Sequence, residues 1–373
     1  MKISIEKSAL SEGLQQVINV AGSKTSLPII QNVLLETVEN NKLNLTTTNM
    51  DISIRCSVSA TIESPGAITV PVKKFLSIVR ALPENTVFLE VDNLTINIQS
   101  GSSKFKMLCL PANEFPQVQN IEHAGKFEAD QTKLSQVLKS ISYAQSKDEN
   151  RYLMNGVYFS VEEDQLCLIA TDGRRMSLNK CEFTKSECLQ NVIVPAKTIA
   201  ELERTLGIGE KVIVSITDKQ IGFKIAIAED SKSGLVGDLY ILSKIVEGKY
   251  PNYKQVIPSS CEHRLRLDRE KFLEVIQRVA LVSDEKNYNI KINIEPGAMT
   301  LSAQSTTYGD AREKMMIDYS GNEIEIGFNP QFLCDPLKAI ADEEAFFEFK
   351  DSVSPGIIKG NDAFLCVVMP LRI

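Results

Sequence analysis

Two histidines, His123 and His263, are all that a chain of 373 residues offers for imidazole chemistry. A His-rich metal site is therefore unavailable, as are most schemes that use histidine as a base or beside a nucleophile. Eight cysteines (Cys56, Cys109, Cys167, Cys181, Cys188, Cys261, Cys334 and Cys366) form no C-x-x-C pair and mostly sit in apolar, strand-like runs. Reduced, buried thiols are expected. Adjacent carboxylates at Glu162-Glu163 and Glu343-Glu344 fall in turn-like or solvated stretches, where such pairs are more often a wet face than an acid/base dyad. No G-x-x-x-x-G-K-S/T occurs, and no G-x-G-x-x-G follows a strand, so nucleotide hydrolysis and dinucleotide binding lack support. Neither a metal nor a cofactor is expected.

What remains suits binding. The segment ATDGRRMS, Ala170 to Ser177, has a turn signal at Asp172-Gly173, two adjacent arginines, and a methionine, Met176, that reads as exposed. Adaptable methionines near a turn line surfaces that accept varied apolar partners. Lys73, Ser77 and Arg80 share one helical face, and Lys197, Glu201 and Arg204 take the same register in a second helix. Either row alone reads as a solvated face. Several such helices around one channel would sum their charges where a polyanion passes, although the net charge of −7 argues against overall electrostatic gripping of nucleic acid.

The elements that position these residues recur three times. LQQVINVAGSK from Leu14, LSQVLKSISYAQSK from Leu134 and FLEVIQRVALVSDEK from Phe272 correspond, and so do VPVKKFLSIVRALPENTVFLEV from Val70, VPAKTIAELERTLGIGEKVIVSI from Val194 and FNPQFLCDPLKAIADEEAFFEF from Phe328. Whole domains separate the copies, so one domain is used three times. Apolar stripes such as Phe75, Leu76, Val79 and Leu82 predict helices, and alternation in KLNLTTTN, NLTINIQS and NEIEIGF predicts strands. Each copy reads as strand, helix, three strands, helix, three strands, an α+β unit with helices packed on antiparallel sheet. Proline-bearing joints lie near LPANEFPQV and EGKYPNYKQVIP, giving domains 1–122, 123–253 and 254–373.

No run approaches the ~18 apolar residues of a membrane span, and MKISIEKSAL lacks a signal peptide's apolar stretch, so a soluble cytoplasmic protein with no membrane partner is expected. The last eight residues, CVVMPLRI, include six apolar ones. They occupy the place of a linker, and their side chains must pack locally or meet a partner.

Together, VPVKKF, VPAKTI, RYLMNG, ATDGRRM, YPNYKQV and VVMPLRI, spread over essentially the whole chain, resemble the bacterial sliding clamps, the beta subunits of DNA polymerase III. The resemblance implies three domains of the DNA-clamp type, with helices lining a central hole and antiparallel sheets outside, and a ring closed by a head-to-tail homodimer. Such a ring encircles duplex DNA without reading its sequence and tethers the replicative polymerase catalytic subunit. The clamp loader, other polymerases and repair proteins carry short peptides for the same pocket between the second and third domains. By position, that pocket would involve Met154, Thr171, Gly173, Arg175, Met176, Pro251, Val256, Val368, Met369, Pro370, Leu371 and Arg372. DNA would meet Lys24, Lys73, Arg80, Lys104, Tyr152 and Lys197, whose phosphate contacts suit a protein that must slide. The subunit joint would set Lys74, Phe105 and Met107 against Leu281 and Val282. The chain departs from the commonest family pattern at Met154 and Met176 (often leucine), Arg174 (often histidine), Gln255 (often basic), Leu153 (often aromatic), and Leu371 and Ile373 in the tail.

Two other readings stand beside this one. An enzyme acting on a phosphorylated or acidic substrate could use Asp172, Arg174 and Arg175, but no nucleophile, metal set or base accompanies them. A repeat-built protein-binding scaffold without a DNA role is the stronger rival.

Overall fold

The computed structural model describes residues 1–22, 27–118, 121, 125–162, 165–185, 190–228, 234–283, 289–360 and 363–372. The chain divides into two compact units. One comprises Met1–Ser135, Phe183–Gln190 and Ala200–Ile245; the other comprises Gln136–Glu182, Asn191–Ile199 and Val246–Ile373.

Among the described residues six helices recur in pairs: α1 (Lys7–Val17) and α2 (Val72–Ala81), α3 (Gln131–Ile141) and α4 (Ala196–Thr205), and α5 (Arg269–Ala280) and α6 (Pro330–Ala339). The α2 stripe of Val72, Phe75, Leu76 and Val79 is buried, while Lys73, Lys74, Ser77 and Arg80 remain outside it, as the 3.6-residue period requires. Pro83, just past its end, has no amide to continue the ladder. Helix α5 begins where Asp268 accepts a hydrogen bond from the Lys271 amide, and α6 begins where Asn329 caps the Gln331 amide ahead of Pro330.

The order of three strands before the second helix is exceeded in each copy. A short strand leads into every second helix: Ala67–Pro71, Val192–Pro195 and Ile324–Phe328. Ile324–Phe328 is the strand that the alternation of NEIEIGF predicts, whereas Ala67–Pro71 and Val192–Pro195, at five and four residues and ending in proline, are too short for a period of two to register.

Among the described residues there are four sheets, all antiparallel in their pairings. In the first unit a five-stranded sheet ends at Ser103–Leu108, and a nine-stranded sheet pairs Ile52–Ser59 of the first copy with Asp238–Lys244 of the second. In the second unit an eight-stranded sheet pairs Arg175–Glu182 of the second copy with Leu365–Val368 of the third, and a four-stranded sheet ends at Gly309–Met316. Sheets thus run continuously from one copy into the next. The second unit's core packs Phe272, Val275 and Ile276 of α5 and Leu333 and Leu337 of α6 on Phe328, Phe347 and Phe349, all essentially without solvent contact. A side chain of this kind contributes about 1.5–3 kcal/mol on burial.

Six of the seven described cysteines are buried, and Cys261 is half-buried; Cys188 lies outside the described residues. Burial pushes the Cys56 and Cys167 thiols up to about 12 and Cys366 to about 11. At about pH 8 a thiol reagent should therefore label Cys261 first among these and spare Cys366 until denaturant is added. Peptide mapping of the labelled native protein checks this, and rapid stoichiometric labelling of Cys366 would contradict it.

Candidate partner-binding site

The ATDGRRMS segment folds into a hydrogen-bonded turn between strands Gln165–Thr171 and Arg175–Glu182. Asp172 Oδ1 accepts from the amides of Arg174 at 2.9 Å and Arg175 at 3.0 Å. The Thr171 hydroxyl donates to the Arg175 carbonyl at 2.7 Å and accepts from the Gly173 amide at 3.1 Å. Gly173 sits at φ 83°, where a side chain would be strained. Arg151 Nη1 donates to the Asp172 carbonyl at 2.9 Å, fixing the turn beside the Glu149–Met154 segment. A Cβ on Gly173 would lie 3.9 Å from Met154 Sδ, so the turn and Met154 are neighbours.

The tail crosses this turn. After the strand Leu365–Val368, the Met369 amide donates to the Arg174 carbonyl at 3.0 Å and the Leu371 amide to the Gly327 carbonyl at 2.8 Å. Their backbones are tied, yet Met369 and Leu371 stay 39% and 37% exposed, and Val256 is 42% exposed. Pro370 and Pro251 are half-buried, and Arg372 is exposed. The structure thus brings Thr171, Gly173 and Arg175 of the turn, Met154 beside it, and the Val368–Leu371 backbone into one locale.

Strand alternation divides these side chains between two faces. Met176 pairs with Val367, and both enter a cluster with Cys167, Ile169, Leu178 and Tyr250. Met176 is only 2% exposed, contrary to the expectation from its sequence neighbours. The reason is the joint: Tyr250 stacks on Tyr158 at 4.6 Å and Tyr253 meets the same ring edge-on, closing over that face. Glu162 accepts from Tyr253 at 3.3 Å and pairs with Lys254 at 3.1 Å and Lys180 at 3.2 Å. Burial pushes its carboxyl up, but the lysine hydrogen bonds outweigh that and leave it below the usual range.

Arg175 and Val368 point to the opposite face. The Arg175 guanidinium is buried, with Nη1 on Asp335 Oδ2 at 2.5 Å, Nε on Asp172 Oδ2 at 3.2 Å and Nη2 on the Tyr143 carbonyl at 2.8 Å. It lies over the Phe332 ring at 4.5 Å and the Tyr143 ring at 5.1 Å. Arg175 therefore offers the site its backbone, not its charge. Asp172 is likewise occupied by turn amides and Arg175, which removes the constellation that an enzyme reading would need.

Elsewhere, Lys73, Lys104 and Lys197 are exposed, Tyr152 is 57% exposed, and Arg80 is exposed but donates to Gln15 Oε1. Lys24 lies outside the described residues. Of the residues expected at a subunit joint, Lys74, Phe105 and Leu281 are exposed and Val282 is half-buried. Met107 is buried at 9%, because it alternates inward opposite Ile96. The neighbouring Leu108, 80% exposed, and Met316, 74% exposed, escape sequence reasoning, since nothing local marks an apolar side chain as outward-facing.

Over residues 1–119, 128–252 and 254–372 the chain matches, in turn, the N-terminal, central and C-terminal domain families of the DNA polymerase III beta subunit. A beta sliding clamp of Caulobacter vibrioides (strain NA1000 / CB15N) is 33% identical over 384 residues, with 100% of both chains covered. One from Vibrio cholerae is 31% identical over 380 residues, again covering 100% of both. A solved DnaN sliding clamp (DNA polymerase III subunit beta) from Bartonella birtlesii, bound to griselimycin, has a TM-score of 0.92 at 31% identity over 100% of each chain.

Proposed function

Because the chain belongs to the DNA polymerase III beta subunit family, the beta sliding clamps, we propose that two copies close head to tail around duplex DNA and hold polymerases there through the groove at the Asp172 turn. It is a DNA sliding clamp, a non-catalytic processivity factor. Three clamp domains, 1–122, 123–253 and 254–373, form each half of the ring, with helices toward the DNA and sheets outside. Met154, Thr171, Gly173, Pro251, Val256 and residues 369–372 form the groove, with Arg175 and Val368 bracing it from behind and Met176 packed in the core beneath it rather than in its wall. Partners are the replicative polymerase's catalytic subunit, the clamp loader, and other polymerases and repair proteins bearing short apolar peptides. Among the described residues no helix is long and apolar enough to cross a membrane, and a cytoplasmic location fits a partner of chromosomal DNA.

Two open sheet edges carry the ring reading. Asp238–Lys244 and Leu365–Val368, the last strands of the second and third copies, each pair with a strand of the preceding copy. Their counterpart in the first copy, Ser103–Leu108, ends its sheet, as does Gly309–Met316, the third copy's counterpart of Ile52–Ser59 and Arg175–Glu182. Phe105 and Leu108 stand exposed on the first edge, Met316 on the second, and Leu281 at the end of α5. A second copy offers each edge the kind of strand that its equivalents already pair with, and closure removes both free edges.

Sedimentation at micromolar concentration should give twice the chain mass, and Leu108→Lys with Leu281→Lys should shift it to one. A stable wild-type monomer would overturn ring closure. Affinity for linear duplex without a loader should be weak, with log K falling against log salt by roughly 0.9 per phosphate contact. Tight, sequence-selective binding at physiological salt would contradict the sliding reading.

A further inference from the structure

The first strand of the third copy, His263–Asp268, ends the eight-stranded sheet with one side unpaired among the described residues. Its counterparts are covered. In the first copy Thr61–Ser64 pairs with Lys2–Glu6, and in the second Thr184–Lys185 pairs with Gly125–Asp130, both antiparallel and both from the same copy as the strand they cover. The corresponding segment of the third copy begins at Asp318, which stands as far beyond Ser305 as Thr61 beyond Thr48 and Thr184 beyond Thr171. It is diverted. The Tyr319 carbonyl accepts from the Gly297 amide at 2.9 Å, and the Tyr319 ring meets His263 edge-on at 5.4 Å, so the segment passes the end of the strand without joining its ladder.

The edge is open in its backbone. The Arg269 amide donates to the Glu343 carbonyl at 2.9 Å, and the register runs unbroken from there to His263 opposite Phe349. Bonded and non-bonded pairs alternate in an antiparallel ladder, so the main-chain groups of Leu265 and Leu267 face Glu344–Phe349 and those of Arg264 and Arg266 face away. Neither arginine has an outward backbone partner among the described residues. The other sheet ends are accounted for. Thr61–Ser64 and Thr184–Lys185 are only four and two residues long. Ala67–Pro71, Val192–Pro195 and Ile324–Phe328 each hold one bridge, to Leu110, Val246 and Leu371. Ser103–Leu108 and Gly309–Met316 are the edges assigned to ring closure. His263–Asp268, six residues long, is left as a template for another strand.

We propose that this edge takes an extended segment of a partner protein as an added antiparallel strand, in which an apolar residue is followed by an acidic one. The covered edge of the first copy specifies that occupant. There Ile62 lies opposite Ile3, and the next residue, Glu63, pairs with Lys2 at 2.8 Å. Leu265 and Arg264 stand the same distances ahead of α5 as Ile3 and Lys2 stand ahead of α1. Arg264 already meets Glu348 at 3.5 Å, and Lys359 holds the same carboxylate at 2.7 Å, so an incoming acid sets the register while main-chain bonds carry the affinity. A second copy of this edge is a poorer occupant, because near-full antiparallel overlap sets Arg264 opposite Arg266, or Arg266 opposite itself.

The test follows residue-resolved amide hydrogen exchange in the full chain, with the peptide Ser-Ala-Thr-Ile-Glu-Ser-Pro-Gly, a copy of residues 59–66, as the added strand. In the free protein the amides of Arg264 and Arg266 should exchange at least about tenfold faster than those of Leu265 and Leu267. Peptide at about 1 mM should slow them at least about threefold. N-methylation of the peptide amides on the side that faces the edge should abolish this protection, and methylation of the alternate amides should leave it. Arg266→Pro removes one outward amide, a place where edge strands accept proline, and should also abolish protection, whereas Arg266→Ala should retain it. The methylated peptides decide the matter even if the proline variant folds poorly. Absence of protection by the peptide, or equal protection by both methylated forms, overturns the proposal. So do Arg264 and Arg266 amides already slow in the free protein, which would place a segment of this chain on the edge, or slowing with protein concentration alone, which would place a second copy there.

Discussion

Replacing Arg175 with methionine is expected to lower the free energy of unfolding by about 3–5 kcal/mol, the cost typical of removing one partner from a buried ion pair. The guanidinium gathers the Asp172 turn, the Tyr143 carbonyl and Asp335 of α6 into one bonded set. Without it, two poorly solvated carboxylates and a buried carbonyl lose their donor. Arg175→Lys should rescue little, since an ammonium cannot reproduce the planar fork or the contact with the Phe332 ring. Arg175→Met with Asp335→Leu should recover part of the loss by removing one stranded charge. Denaturant melts of the three variants decide this; a loss below about 1 kcal/mol in Arg175→Met would mean that the guanidinium is solvated and the bracing role is wrong.

Removing residues 369–373 should abolish partner-peptide binding, by at least about 100-fold, while costing only about 1–3 kcal/mol of stability. Two apolar anchors of a peptide, a leucine and a phenylalanine, contribute about 1.5–3 kcal/mol each when buried, and each step of about 1.4 kcal/mol is tenfold in affinity. The structural cost is that of two backbone hydrogen bonds, from Met369 to Arg174 and from Leu371 to Gly327, at about 0.5–1.5 kcal/mol each. Met369→Ala and Leu371→Ala retain both bonds and remove only exposed side chains, so they should lose affinity with little change in melting temperature. Calorimetric titration of a polymerase-derived peptide, with melts alongside, separates the two effects. Unchanged affinity in a folded truncation would show that these side chains do not form a wall of the groove.

What is legible in the sequence follows local rules. The α2 stripe, the Asp172-Gly173 turn and the repeat of whole domains are written in spacing and in turn chemistry, and the structure realises each of them. The fate of Arg175 is not legible, because its partner Asp335 lies 160 residues away and no local pattern links them. Met107 shows the sensitivity of strand parity: one position separates a core residue from the exposed Leu108. Met176 reads as available from its turn, yet the Tyr250 joint, distant in sequence, covers its face. Short strands such as Val192–Pro195 have meaning only through the neighbours they pair with. In each case the missing information is a long-range contact.

The most direct test of a clamp is topological. The protein is loaded by its clamp loader onto a nicked circular duplex, unbound protein is removed by gel filtration at physiological salt, and the circle is then cut once with a restriction enzyme. A closed ring should co-elute with the circle, resist salt that strips ordinary phosphate contacts, and leave within minutes of linearisation by sliding off the ends. Equal retention on circular and linear DNA, or loss from the intact circle, would contradict it.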